Sequence, residues 1–271
     1  LHKAIRRQRQ MCIRDSLEGV ASLLESGATH PTLELLFTTG EEHFCVGAKA
    51  FDAERLQSKT AYVMDLSGPV GDCAVAAPTL ITFSAEVVGK AAHAGFAPED
   101  GVHAIQVAAA AVANLPSGRW GDVTVNVGTI SGGRATNIVP DTCTVTGEIR
   151  ALCHQDALDR LNEIHSEFVE QAQAVDAKLN FNHTIHITGY RVDTDAPVAQ
   201  RFKRACEAVG VAPRFTDTYG GSDCNILSAY GIQGLVVATA MNNCHAVNEY
   251  TTVEELCKAG RLAQALMEKQ D

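Results

Sequence analysis

Glu41 and Glu42 stand side by side at the end of the apolar run Leu33-Glu-Leu-Leu-Phe-Thr-Thr39-Gly40. If that run is a buried strand, it delivers two carboxylates onto the following loop. There, like charges repel unless a cation or a shared proton absorbs them. One glutamate binding a metal while its neighbour, turned the other way, handles a proton resolves the repulsion. Two more donors make that chemistry concrete. Asp65 closes the run Thr60-Ala-Tyr-Val-Met-Asp65, and His245 lies in Asn243-Cys-His-Ala-Val-Asn-Glu249. Glu42, Asp65 and His245, each at a strand end or in the loop after it, form an oxygen and nitrogen donor set that suits zinc. An isolated Glu-Glu is usually a solvated loop pair, and an isolated loop histidine usually a surface residue. The convergence of four such residues on one sheet edge reverses both preferences.

Three other segments have chemistry-bearing side chains in exposed turns. In Gly89-Lys-Ala-Ala-His93-Ala-Gly95-Phe-Ala-Pro98, a histidine among small residues follows a strand. It is open enough to meet a ligand, and equally readable as a turn histidine without function. Asn137 lies in Gly132-Gly133-Arg-Ala-Thr-Asn137-Ile-Val-Pro140, a polar hairpin turn whose glycines need no functional explanation. Tyr219-Gly220-Gly221-Ser222-Asp223-Cys-Asn225 opens a helix, where backbone N–H groups can receive a carboxylate or phosphate. The same residues also read as a capping turn with Ser222 at the N-cap. The segment lacks a phosphate-loop lysine and has the wrong spacing for a dinucleotide fingerprint. A thiol hydrolase using Cys244 beside His245 is disfavoured, since adjacent residues on an extended chain point in opposite directions.

The elements that must position these residues alternate from residue 17 onward. An apolar stripe (Leu17, Val20, Ala21, Leu23, Leu24) marks a helix that Gly27 stops. A strand over 33–39, a short helix over 46–56 and a strand over 61–65 follow, the rhythm of a doubly wound sheet. In such a sheet the ligand crevice lies beyond the carboxyl ends of the strands, where Glu41, Glu42 and Asp65 fall. Near Pro78 the order becomes strand 79–88, helix 101–115, strands 123–130 and 142–150, helix 155–175 and strand 179–187. That is a β-α-β-β-α-β ferredoxin-like unit. Helices over 197–209, 223–230 and 253–269, with a strand over 235–239, restore the first pattern. The expected architecture is an α/β domain (17–77 with 190–271) interrupted by an inserted ferredoxin-like domain (78–189).

The 271 residues carry 22 basic and 32 acidic side chains, a net charge of −10, which argues against binding a phosphate backbone. Five of the basic residues lie in the first sixteen. There Met11-Cys-Ile-Arg-Asp-Ser16 resembles a translated sequencing adapter, so 1–16 is expected to be a non-native leader. Nine cysteines without C-x-x-C spacing argue for reduced thiols rather than a disulfide framework. Apolar stretches such as 231–241 are far too short for a bilayer span. A soluble, cytoplasmic protein acting on neither nucleic acid nor membrane is expected.

Thr38-Thr-Gly-Glu-Glu42, Met64-Asp65, the Gly89–Gly95 turn with His93, Asn137-Ile-Val-Pro140, Gly220-Gly-Ser-Asp223 and His245-Ala-Val-Asn-Glu249 fall in a characteristic order. Across residues 17–270 it resembles that of the dinuclear-zinc metallopeptidases: peptidase T, glutamate carboxypeptidase, aminoacylase and acetylornithine deacetylase. The spelling of the last two motifs is most similar to the peptidase T branch. The resemblance implies an inserted lid through which two copies dimerise. It implies Glu41 as general base, Glu42 and His245 on one zinc and Asp65 on the other. It further implies His93 stabilising an oxyanion across the dimer, Asn137 holding the substrate, and Gly220, Gly221 and Ser222 lining its pocket.

The family pattern also needs a His-x-Asp and a bridging Asp before the Glu-Glu pair, and residues 1–40 contain no His-x-Asp. The expectation is therefore an N-terminally truncated, inactive fragment of a zinc exopeptidase acting on short peptides. The alternatives are an N-acyl-amino-acid amidohydrolase with the same metal centre and a non-catalytic dimerising remnant.

Overall fold

The computed structural model describes residues 2–244 and 246–269, with side chains described from residue 13. Two compact units partition the chain: Leu1–Ala77 with Tyr190–Asp271, and Pro78–Gly189.

The first unit begins with α1 (His2–Ser26). The helix thus runs through position 17, where a boundary was expected, because residues 1–18 hold neither Gly nor Pro and are rich in strong helix formers. Gly27, with φ 67°, ends it as anticipated. The strand expected over 33–39 does not form. Strands require a ladder, and this segment's groups are committed elsewhere. The Glu34 carboxylate accepts from the amides of Gln57 (3.1 Å) and Ser58 (2.7 Å), and the Thr39 carbonyl accepts from Gly47 N–H at 2.8 Å. After α2 (Val46–Ala50) come β1 (Thr60–Ser67) and β2 (Asp72–Ala77).

In the second unit, β3 (Thr79–Val88), α3 (Ala104–Asn114), the short β4 (Gly118–Trp120), β5 (Val123–Gly132), β6 (Thr142–Ala151), α4 (His154–Gln173) and β7 (Lys178–Ile187) form the ferredoxin-like βαββαβ pattern. The strand order is β4-β5-β6-β3-β7, antiparallel throughout. Alternation on β3 sends Ile81, Phe83, Ala85 and Val87 inward, while Thr82, Ser84 and Glu86 take the other face. On α4, Ala157, Leu161, Ile164, Phe168 and Ala172 recur at helical spacing and close the same core. Gly147 is required there: a Cβ would stand 2.4 Å from the Phe83 ring and 2.5 Å from the Asn126 carbonyl.

The chain then re-enters the first unit with β8 (Tyr190–Arg191), α5 (Pro197–Ala208), β9 (Arg214–Asp217), α6 (Asp223–Ala229), β10 (Gln233–Met241) and α7 (Val253–Met267). Its sheet is mixed rather than purely parallel. β1 pairs parallel with β10, β10 antiparallel with β2, and β2 antiparallel with β8 and parallel with β9. Every residue of β2 is buried. Asp72, the only charge on it, is held by the Arg214 guanidinium, with Nε donating to Oδ1 at 2.8 Å. The core gathers Phe202, Cys206, Leu235, Val237 and Leu262 between this sheet, α5 and α7.

Because its core is separate and complete, residues 78–189 are expected to fold alone with a single cooperative urea transition. Phe168→Ala, emptying a fully buried position, should lower that unit's stability by about 3–5 kcal/mol.

Candidate active site

Parallel pairing brings the carboxyl ends of β1 and β10 together, Ser67 beside Met241. The register is irregular at that end. Val63 pairs Val236 and Leu66 pairs Ala238, so β1 carries an extra residue beside Asp65. Ser67 then pairs Met241, so β10 bulges in turn, with Ala240 in the left-handed region at φ 59°. Bulges re-aim side chains and recur beside active sites. The loop after β10 is closed by Asn242 and Tyr250, whose amides donate to each other's carbonyls at 3.0 and 3.2 Å.

The charges of Glu249 and Asp65 both act on Cys244, in the loop after β10. The Cys244 thiol is raised above its ordinary range by burial first, then by the charges of Glu249 and Asp65. Both carboxylate oxygens of Glu249 are buried without a hydrogen-bond partner, a state that favours a cation nearby. Carboxylate oxygens are the donor chemistry expected of a divalent metal. Among the described residues, however, no group of three or more His, Cys, Asp or Glu side chains gathers around a metal-sized gap. His245, the imidazole expected there, lies outside the described residues.

Glu41 and Glu42 lie in a 3-10 turn, Glu41–His43, rather than after a strand. Glu41 is half-buried and Glu42 exposed. The turn is bounded by left-handed residues: Gly40 at φ 70°, Phe44 at φ 59° and Cys45 at φ 58°. Two consecutive non-glycine residues in that region cost about 1–3 kcal/mol each and persist only where the surroundings impose them. Here Cys45 N–H donates to the Glu41 carbonyl at 2.8 Å, and its side chain is buried. Gly47 presses on Thr39 so closely that a Cβ would stand 2.1 Å from the Thr39 carbonyl oxygen. Burial raises the Cys45 thiol strongly, followed by the charges of Asp223 and Glu41 and a hydrogen bond to Asp223. Asp223 Oδ2 in turn accepts a short hydrogen bond from the Thr38 hydroxyl.

Of the pocket residues expected at 220–222, Ser222 is 4% exposed. Its hydroxyl accepts from Cys224 N–H at 3.2 Å while the Asn225 side chain accepts from Ser222 N–H at 3.1 Å, a capping box. Its hydroxyl thus serves the helix terminus, and α6 has only seven residues. Gly220 remains open, with its amide donating to the Thr218 hydroxyl at 3.1 Å.

In the second unit the structure brings His93 and Asn137 together. Ala94 N–H donates to the Asn137 carbonyl at 3.0 Å, and both side chains are exposed. Gly95 N–H donates to His93 Nδ1 at 3.1 Å, which leaves Nε2 as the imidazole's donor. Phe96, 86% exposed, stacks beside the ring with centroids 4.4 Å apart.

Residues 75–176 match the family model of the peptidase dimerisation domain. An uncharacterised protein, YqjE of Bacillus subtilis, is 32% identical over 253 residues, covering 93% of this chain and 68% of that protein. The crystal structure of aminopeptidase PepT from Bacillus cereus is 35% identical with a TM-score of 0.90, covering 95% of this chain and 69% of that one. The chain belongs to the peptidase T-like branch of the M20 peptidases. A tripeptidase of Staphylococcus aureus superposes with a TM-score of 0.91 at 26% identity, over 94% of this chain and 68% of that one. The chain spans between 54% and 63% of the curated peptidase T relatives it matches.

Within this peptidase T-like chain, sequence reading passed over three residues: Asp223, Glu249 and Cys45. The first two stood inside motifs already singled out, and their acidity there was the available signal. Ser222→Ala should cost about 1 kcal/mol through loss of the cap, measured by urea unfolding, whereas Ser222→Asp should restore it.

Proposed function

We propose that this chain hydrolyses peptide bonds in short peptides as a zinc-dependent exopeptidase, with Glu41 as general base. The observation that carries this reading is the Glu249 carboxylate, whose oxygens are buried without a hydrogen bond in the loop that follows β10, the strand paired with the bulged end of β1 that holds Asp65. The Glu249 carboxylate is thus a buried negative charge that no hydrogen bond compensates.

Glu42, Asp65 and His245 would hold zinc, which supplies a water of lowered pKa and polarises the scissile carbonyl when bound. Glu41, held in its turn by its own carbonyl and by Cys45, takes a proton from the attacking water and returns it to the leaving amine. His93 of the partner subunit would offer Nε2–H to the developing oxyanion across the dimer, and Asn137 a side-chain amide to the substrate backbone. Gly220 and Gly221 leave room for a main chain to approach. Likeness to an aminopeptidase and a tripeptidase supports short peptides as substrates. The dimerisation-domain match supports a homodimer formed through residues 78–189, and among the described residues no helix is long and apolar enough to cross a membrane. We assign the protein to the cytoplasm.

Zinc titration should show binding that Glu42→Ala and Asp65→Ala each weaken roughly 10-fold or more, and that Glu41→Ala leaves intact. Binding indifferent to both ligand variants would overturn the metal assignment. In zinc-loaded protein, tripeptides should be cleaved faster than N-acyl amino acids, and Glu41→Ala should slow cleavage about 10²- to 10⁴-fold. The reverse substrate order would make the protein a deacylase. Zinc binding without hydrolysis of either would make it a binding protein. Three donors for two ions predict slow turnover by these 271 residues.

A further inference from the structure

We propose that Asp223 is a positioning residue that fixes the turn carrying Glu41, by holding Thr38 on one side of it and Cys45 on the other. The inference rests on the reading of Glu41 as general base and assigns the residue that orients it.

Thr38 and Asp223 are 185 positions apart in the chain, yet the Thr38 hydroxyl donates to Asp223 Oδ2. The other oxygen, Oδ1, is buried, so the carboxylate faces protein rather than solvent. Seven residues after Thr38 the chain reaches Cys45, 2% exposed, whose thiol also lies against Asp223. Glu41 sits between these tethers, and the second reaches it directly, through Cys45 N–H to the Glu41 carbonyl at 2.8 Å. The turn between them contains Phe44 and Cys45 in left-handed conformations, which an untethered loop would abandon. Helix capping does not account for Asp223. Ser222 and Asn225 already form the capping box, and an acid in the first turn of α6 would serve the helix dipole equally well facing water. A carboxylate tied to both flanks of a turn is placed to set the direction of the side chain between them.

Two readouts on the full chain test this. In the first, thiol alkylation is located by mass spectrometry. Asp223→Ala and Thr38→Val should each label Cys45 roughly tenfold faster than the parent while Cys73 and Cys206, in the core of the same unit, stay protected. Cys45 protected as in the parent in both variants overturns the proposal. Should Asp223→Ala expose Cys73 too, it has unfolded the unit, and Thr38→Val alone decides: parent-like labelling of Cys45 there overturns the tether. In the second, zinc-loaded Asp223→Ala assayed on a tripeptide should lose roughly 10- to 100-fold in kcat with KM within about twofold. A raised KM at unchanged kcat would instead make Asp223 a substrate contact, which also overturns the proposal. If the parent hydrolyses no peptide, the reading of Glu41 as base has failed, and the alkylation result still decides the tether.

Discussion

The parallel pairing of β1 with β10 is the constraint on which the candidate site depends. Parallel strands end on the same side, so residues leaving β1 and residues leaving β10 emerge next to each other whatever their separation along the chain. That alone explains why Asp65 and the loop closed by Asn242 and Tyr250 share an edge. The two bulges refine the placement. Each releases side chains from strict alternation just where the strands end, and the second requires Ala240 to adopt a left-handed backbone in a fully buried position.

Acidic side chains of this unit lie close to thiols in two places. Two thiols, the buried Cys45 and the half-buried Cys244, are raised first by burial and then by acidic neighbours: Asp223 and Glu41 for the one, Glu249 and Asp65 for the other. Elsewhere the same unit neutralises its buried acid conventionally, with Arg214 gripping Asp72 through two nitrogens. Asp72 is compensated by a guanidinium, whereas the Glu249 oxygens, in the loop after β10, have no hydrogen-bond partner.

Much of this was legible in the sequence because periodicity reports burial. The strand expected over 142–150 alternates in sequence, and the structure places β6 over Thr142–Ala151. Ala157, Leu161, Ile164 and Phe168 announce the face of α4 by spacing alone. β2 escaped because a strand buried on both faces has no alternation, and Cys-Ala-Val-Ala-Ala offers little bulk to read. β8 and β9, of two and four residues, are shorter than any pattern. The run 33–39 failed in the opposite sense: its composition suits a strand, but composition cannot supply a neighbour, and its hydrogen bonds go to the 47–58 segment. At the site, Asp65 and the histidine-containing loop were readable from their places at strand ends. The bond from Thr38 to Asp223 was not, since nothing local in either segment refers to the other. The capping alternative for Ser222 was readable, and it is the arrangement found.

The antiparallel bridge between β2 and β8 pairs Ala76 with Arg191 and Ala77 with Tyr190. The last residue before the inserted unit and the first after it are therefore neighbours in one ladder, and the whole of 78–189 departs from and returns to a single hairpin-like mouth. Topologically the ferredoxin-like unit is an oversized turn. Residues added or removed inside it would therefore leave the strand order of the host sheet undisturbed.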